Sequence, residues 1–286
     1  MRGLVKFMKF KQFVFLALAL AVSSGASAWQ KKIDFNTGTL GAKAFGDTAF
    51  NDATATTFSK DQVFEGAFAA KNSIQQGQEG FGVWGGIINF PSKVPAGGEV
   101  WLRVRTYYPS GFSFSANPWL KFLRLHTTDA SGTNNLGYDD WYINLRDATY
   151  PYQFIYEGEQ VWYQFGKKSD APQFNKWETY EMYVRFDTVP AAKGGRAVVR
   201  FWKDGVLIGE SKDRITLKNA NAFADAAYIF TYWNGGAPQT QTMYLDDVVL
   251  QTDTPAARDA KGNPYIGIGA QTPAQAAPKP PVLRVN

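Results

Sequence analysis

Short segments in which apolar and polar residues alternate make up most of the chain after Gly82. The clearest segment is Glu99–Tyr108, in which two sets of residues alternate: Val100, Leu102 and Val104 against Trp101, Arg103 and Arg105. Successive side chains of a β-strand point to opposite faces of a sheet, so this pattern predicts a strand with one face against a core. By the same criterion, further strands are predicted at 83–90, 119–126, 140–146, 153–157, 160–165, 177–186, 196–203, 206–210, 226–233 and 242–251.

Turn residues separate these segments at intervals of about eight to twelve residues, as they do in antiparallel sandwiches. Lys203-Asp204-Gly205 lies between two apolar runs. It predicts a tight hairpin, because glycine readily adopts the positive φ that such turns require. No amphipathic helix is evident beyond one short turn near 218–224. We therefore predict an all-β fold, an antiparallel β-sandwich of the jelly-roll type.

The first 28 residues have the pattern of a secretory signal peptide. Basic residues up to Lys11 precede an apolar run at Phe13–Val22, and small residues follow, ending in Ala26-Ser27-Ala28. This is the order of a basic region, an apolar region and a cleavage site. The apolar run is too short to span a bilayer. We expect a secreted or periplasmic protein whose mature chain begins at Trp29 and has no membrane span.

Composition narrows the classes of partner. The chain has 30 Lys plus Arg against 25 Asp plus Glu, but the predicted leader holds four basic and no acidic residues, so the mature balance is 26 minus 25, or +1. This balance argues against a general attraction to nucleic acid. Cysteine is absent, which excludes disulfides and thiolate chemistry. Aromatic residues make up 16% of the chain, which suits both a sandwich core and a surface that stacks on sugar rings.

The composition also predicts a division of the mature chain. Residues 29–253 carry the strand pattern and are predicted to form one jelly-roll domain that binds carbohydrate. Residues 254–286 are rich in Pro and Ala, and we expect this C-terminal tail to lie along the surface or to be mobile.

Three stretches resemble a known group of proteins. They are 100–107, Trp119–His126 (WLKFLRLH), and 176–250, which contains WETYE, FWKDG, YIFTYWNG and YLDDV. Together they resemble the concanavalin A-like lectin/glucanase superfamily, and within it the heparinase I-like and related polysaccharide lyases, over residues 33–252. The resemblance implies a jelly roll and a carbohydrate ligand. Because the superfamily contains lectins, hydrolases, lyases and plain binding modules, it does not select an activity.

The hydrolases of this superfamily use carboxylates that alternate along one strand, and no such motif is present. Retaining glycosidases need two carboxyl groups about 5 Å apart. Asp246 and Asp247 are neighbours on a predicted strand and point to opposite faces, so they cannot form such a pair. A hydrolase of the paired-carboxylate type is therefore disfavoured.

A polysaccharide lyase needs a base for the proton at C5, an acid for the leaving oxygen, and cations or amides near the uronate carboxylate. Three predicted strands carry such groups, and we expect them to lie side by side as one open face. Strict alternation places His126, the only histidine, with Arg124 and turns Lys121 to the opposite face. The catalytic residues of a lyase would be His126, Tyr142 and Arg124. The predicted substrate-binding residues are Arg103, Arg105, Tyr107, Asn144, Arg146, Tyr232 and Asn234, with Trp162 and Gln164 as weaker candidates.

Each of these residues also has a structural interpretation. His126 could end a strand without any chemical role, and the arginines could form a solvated sheet face that pairs with Asp140 or Glu99. No cofactor is required by the proposed chemistry. A structural Ca²⁺ held by Asp34 and by Asp246 or Asp247 is one expectation, because terminal strands of this architecture often pair and carboxylates are hard oxygen ligands.

The leading hypothesis is a secreted jelly roll that recognises an acidic polysaccharide on a concave sheet. The alternative is a lyase that cleaves a uronate-containing polymer by β-elimination on the same face. A non-catalytic matrix or surface structural protein is a third possibility.

Overall fold

The computed structural model describes residues 28–44, 55–79, 83–114, 119–145 and 149–269, which form two packed antiparallel sheets. The predicted signal peptide up to residue 27, Arg146, and residues 270–286 lie outside these ranges. The strands are β1 (Gln30–Ile33), β2 (Thr56–Ser59), β3 (Ala69–Ile74), β4 (Gly86–Pro95), β5 (Glu99–Tyr107), β6 (Leu120–Thr128), β7 (Asn135–Ile143), β8 (Tyr152–Tyr156), β9 (Tyr163–Phe165), β10 (Trp177–Arg185), β11 (Val198–Lys203), β12 (Val206–Ser211), β13 (Phe223–Trp233) and β14 (Gln241–Gln251).

Sheet A has the order β12-β11-β10-β5-β14-β3-β2, with β1 also paired to β14, and sheet B has the order β4-β13-β6-β7-β8-β9. Their inner faces enclose one aromatic-rich core. Phe122 of sheet B, for example, lies 4.9 Å from the ring of Tyr180 in sheet A, measured between centroids. Helix is limited, in the described ranges, to two single 3₁₀ turns at Lys168–Asp170 and Ala191–Lys193. The predicted all-β sandwich is confirmed.

The predicted hairpin is also confirmed. β11 ends at Lys203 and β12 begins at Val206, while Asp204 and Gly205 have φ values of 48° and 79°. Two consecutive positive φ angles are the geometry of a two-residue hairpin turn. No helix among the described residues is both long and apolar enough to cross a bilayer.

Residues 254–269, which we call the strap, cover part of the outer face of sheet A. The indole nitrogen of Trp101 donates to the carbonyl oxygen of Pro264 at 3.1 Å, and that of Trp202 donates to Asp259 Oδ2 at 2.9 Å. Tyr265 stacks on Trp202 with a centroid distance of 6.0 Å. The strap therefore explains why β5, whose sequence alternates, is buried on both faces.

A buried group of charges lies beneath the strap. Asp247 Oδ2 accepts hydrogen bonds from Arg103 at 2.6 Å and from Arg105 at 2.9 Å. Both arginines also donate to strap carbonyl groups, those of Gly267 and Ile268. Charges removed from water are tolerated when they are paired and hydrogen-bonded, and here Asp247 supplies the ionic partner while the strap supplies carbonyl acceptors.

Asp139 on β7 is a buried acid without such compensation. Its side chain is inaccessible to solvent, and neither carboxyl oxygen has a hydrogen-bond partner among the described residues. Burial, together with the adjacent charge of Asp140, raises the pKa of Asp139 well above its ordinary value. Asp139 therefore retains a proton in the folded state that it releases in the unfolded chain, and its contribution to the free energy of unfolding falls as the pH rises above about 4.

We expect the substitution Asp139→Asn to reduce that loss by up to about 1.4 kcal/mol per pH unit, because one fewer proton is linked to folding. Burial also raises the pKa values of Glu181 and Asp246 to about 7. These two residues are unchanged in Asp139→Asn, so their contribution to the pH dependence of the free energy of unfolding remains. Urea unfolding between pH 4 and 7 measures the effect, with the exposed Asp213→Asn as control. An unchanged slope in Asp139→Asn would show that Asp139 is ionised in the folded protein.

Candidate functional site

The outer face of sheet B presents a continuous group of polar and aromatic side chains. We call it the sheet-B face. It comprises Lys121, Arg124 and His126 from β6, Tyr138, Asp140 and Tyr142 from β7, Glu157 from the turn after β8, and Tyr228 and Tyr232 from β13. Adjacent strands β13, β6 and β7 therefore bring cations, carboxylates, phenols and the imidazole together.

A β-bulge in β6 corrects the predicted orientation of Lys121. Lys121 pairs with Tyr142 and Leu123 pairs with Trp141, so Phe122 is an extra residue relative to β7. A bulge breaks strict alternation. Phe122 and Leu123 both enter the core, and Lys121 comes to the same face as Arg124 and His126. The expectation that Lys121 points away from Arg124 is therefore wrong.

Two cations and two carboxylates form the centre of the sheet-B face. Arg124 Nε lies 2.6 Å from Asp140 Oδ1, and Lys121 Nζ lies 3.0 Å from Asp140 Oδ2. Glu157 Oε1 contacts Lys121 Nζ and lies 3.3 Å from Arg124 Nη2. Tyr142 donates a hydrogen bond of 3.2 Å to Asp140 Oδ2. Each cation is therefore shared between the two carboxylates.

The two carboxylates differ in their electrostatics. Burial alone would raise the pKa of Asp140, but the charges of Arg124 and Lys121 outweigh burial and lower it. Burial and the charge of Asp140 raise the pKa of Glu157 above its usual value. Burial and the charge of Asp140 also raise the pKa of Tyr142, which keeps its phenol protonated. Asp140 is thus the firmly ionised partner of the cations.

His126 forms a second polar centre beside this group. Its Nδ1 lies 2.6 Å from Asp225 Oδ1, and both side chains are partly accessible to solvent. An ionised carboxylate at Nδ1 favours the tautomer with the proton on that nitrogen, which leaves Nε2 as the basic nitrogen. The rings of Tyr138 and Tyr228 lie 4.9 and 6.0 Å from the imidazole. Arg124 lies over Tyr138 at 3.7 Å, which links the two centres.

Exposed aromatic rings adjoin the Lys121 end of the sheet-B face. Trp162 lies 5.2 Å from Tyr142 and 5.7 Å from Trp119, again between centroids. The two indoles are 37% and 40% exposed. Tyr232, whose ring lies 5.5 Å from Lys121 Nζ, donates a hydrogen bond to Glu79 at 2.8 Å. Asn234 is placed at the same end, because its backbone N–H donates to the Trp119 carbonyl oxygen.

The structure does not bring all three predicted strands together. β6 and β7 are neighbours as expected, but β5 lies in sheet A between β10 and β14. Arg103 and Arg105 are therefore on the opposite side of the sandwich, buried with Asp247 beneath the strap. Tyr107 is in sheet A as well, against Trp177 at 5.7 Å. The single groove predicted for these three residues and Arg124 is wrong, because alternation defines faces but does not say which sheet a strand joins.

The remaining predicted site residues have separate positions. Asn144 is buried just after β7, where its N–H donates to the Pro151 carbonyl oxygen at 2.9 Å, and Arg146 lies outside the described residues. The residues proposed for Ca²⁺ face nitrogen donors instead. Asp246, for example, accepts hydrogen bonds from the backbone N–H groups of Phe64 and Glu65. No group of three or more His, Cys, Asp or Glu converges as a metal site within the described ranges. Carboxylate oxygens that accept from N–H groups in this way do not fit a calcium site.

Comparison with known proteins addresses the fold. No protein-family model and no curated protein sequence matches the chain. A double variant of the alginate lyase Aly36B, solved in complex with alginate tetrasaccharide, superimposes with a TM-score of 0.54 and 16% identity, over 77% of this chain and 96% of that one. An endo-β-1,4-glucuronan lyase from the fungus Trichoderma reesei gives a TM-score of 0.51 and 12% identity, over 78% and 94%. The chain has the fold of these polysaccharide lyases. The jelly-roll β-sandwich predicted from the sequence is thus confirmed, and at this identity the likeness extends to the fold alone.

Proposed function

We propose that this protein is exported and binds an extended, uronate-containing polysaccharide along the sheet-B face. The observation that carries the proposal is the continuity of exposed indoles with a row of polar groups on one sheet. Trp119 and Trp162 offer ring faces at one end, and Lys121, Arg124 and His126 follow along β6. Carbohydrate sites combine apolar ring contacts with a few fixed polar groups in this way.

Two further observations support the proposal that the bound polysaccharide contains uronic acids. Lys121 and Arg124 are the cations of the sheet-B face, and charge-assisted hydrogen bonds from such groups recognise carboxylates. The two structural neighbours described above are named for alginate and glucuronan, both polymers of uronic acids. A lectin for uronates and a lyase for uronates would share this recognition.

Replacing Trp119 or Trp162 with alanine should weaken retention on alginate or glucuronan by roughly tenfold each, because a stacking surface is lost. Affinity electrophoresis in gels that contain the polymer measures the change. Phe174→Ala is the matched control, since Phe174 is an exposed aromatic residue (46% exposed) just before β10 of sheet A. Equal retention of the Trp119 and Trp162 variants and the unaltered protein would place the binding surface elsewhere.

A second candidate function, cleavage by β-elimination, is favoured by the His126–Asp225 pair. His126 Nε2 would take the C5 proton of a uronate, and the C5–H electron pair would form the C4–C5 double bond. The C4–O4 bond would break, and O4 would receive a proton from a neighbouring phenol. Tyr138 and Tyr228 lie beside the imidazole, and burial raises the pKa of Tyr138, which keeps it protonated as an acid.

Incubation with alginate, glucuronan and glycosaminoglycans distinguishes the two functions, because the unsaturated product of β-elimination absorbs in the ultraviolet. An absorbance increase supports the lyase. Retention on one of the polymers without an absorbance increase supports binding alone. The absence of both would overturn the proposal and favour a structural protein.

A further inference from the structure

We propose that Glu157 is an internal competitor for the substrate carboxylate: it pairs with Lys121 and Arg124 when no uronate is bound, and gives way when one binds. This inference rests on the proposed function and makes Glu157 a determinant of specificity on the sheet-B face. It follows from the charge count at the centre, from the different attachment of the two carboxylates, and from their exposure.

The charge count leaves room for one mobile carboxylate. Lys121 and Arg124 carry two positive charges, and Asp140 supplies one negative charge that both cations contact. These three groups together carry a formal charge of +1, which Glu157 neutralises. A uronate residue also carries one carboxylate, so it can replace Glu157 without changing the charge balance. With Glu157 in place, no net positive charge remains for the substrate.

Asp140 is fixed in position. It lies within β7, its side chain is inaccessible to solvent, and its two oxygens contact Arg124, Lys121 and the Tyr142 hydroxyl. Removing it from the cations would leave buried charges unpaired, which is costly. Asp140 is therefore a permanent counter-ion and cannot be the group that yields.

Glu157 is attached differently. It follows the last residue of β8, in the turn that contains Gly158, and about a quarter of its side chain is accessible. A turn residue with a partly exposed side chain can rotate into solvent at little cost, which a mid-strand residue cannot. Its carboxylate thus has a route away from the cations that Asp140 lacks.

The exchange predicts how polyuronate binding depends on pH. The groups that face Glu157 are Lys121 and Arg124 from β6, the phenols of Tyr138, Tyr142 and Tyr156, and Asp140. Burial and Asp140 raise the pKa of Glu157, so on acidification it takes up a proton before an ordinary glutamate does. Protonation removes the competitor, and binding of an ionised polyuronate should strengthen as the pH falls through that raised pKa.

The test compares Glu157→Gln with Glu159→Gln, a variant that removes one charge from the same turn but from a residue with no ion pair among the described residues. The probes are an alginate tetrasaccharide and an uncharged cello-oligosaccharide, titrated calorimetrically. We expect Glu157→Gln to bind the alginate probe on the order of tenfold more tightly than the unaltered protein and to lose most of the pH dependence. Affinity for the uncharged probe, and the behaviour of Glu159→Gln, should stay within about twofold.

Unfolding curves confirm that both variants are folded. The pH effect of Glu157 is the difference between the pH series of the unaltered protein and that of Glu157→Gln. Alginate binding by the unaltered protein with no gain in Glu157→Gln would overturn this inference and leave the proposed function standing. No binding of alginate, glucuronan or glycosaminoglycans by any of the three proteins would overturn both.

Discussion

Replacing His126 with alanine should lower β-elimination on a polyuronate by a factor on the order of 10²–10⁴, the usual contribution of a positioned acid or base. The reason is geometric. Asp225 holds Nδ1 of the imidazole at 2.6 Å, so Nε2 is the basic nitrogen next to Tyr138 and Tyr228. Initial rates of ultraviolet absorbance increase measure the effect, while retention on the polymer should change much less because Trp119 and Trp162 are intact.

Asp225→Asn provides the companion variant. An amide at that position keeps the shape of the carboxylate but no longer favours the proton on Nδ1, so we expect a smaller loss of rate and an altered pH profile. Full activity in His126→Ala would remove His126 from the mechanism. The proton chemistry would then move to a tyrosine, with Tyr142 beside Lys121 as the first residue to vary.

The largest expected effect on stability comes from Asp247→Asn. Its carboxylate is the shared partner of Arg103 and Arg105, whose side chains are 8% and 3% accessible. Removing the negative charge leaves two buried guanidinium groups without an ionic partner, and we expect a loss of about 3 kcal/mol in the free energy of unfolding. Asparagine is the suitable replacement because Asp247 has a φ of 45°, a conformation that asparagine tolerates better than alanine.

Urea unfolding at neutral pH measures this change, with Asp253→Asn as the control because Asp253 is exposed just beyond β14. A loss below about 1 kcal/mol, as for an exposed ion pair, would mean that water reaches the arginines despite the strap. Protection of the strap against proteolysis should decrease in parallel, since Arg103 and Arg105 also donate to its carbonyl groups.

Much of the fold was predictable because its determinants are local. Period-two alternation located the strands from β4 onward, and Asp204-Gly205 defined the hairpin. A first strand near Asp34 that pairs with the last strand was expected, and β1 does pair with β14. β2 and β3 were not predicted, since their four to six residues lack a clear alternation and depend on pairing with distant segments, such as β3 with β14. β7 begins at Asn135, earlier than predicted, because the polar residues before Asp140 pair with β6.

The site was less accessible to prediction because it depends on contacts between distant segments. Tyr142 and Arg124 were placed on one face correctly, and Tyr138 would have joined them had the strand been extended by two residues. Asp225 reaches His126 from 99 positions away, and no local pattern indicates that contact. The separation of Arg103 from Arg124 was likewise invisible, since both strands alternate equally well and only the chain path assigns them to different sheets.

The extra residue in β6 affects how this chain should be aligned with other sequences. Before Phe122 the even-numbered side chains of the strand point inward, and after it the odd-numbered ones do, so the phase of the pattern changes in the middle of WLKFLRLH. A related protein without the bulge would need a one-residue gap at Phe122. An ungapped alignment would match core residues of that protein with Lys121, or with Arg124 and His126. A surface that the two proteins share would then look unrelated.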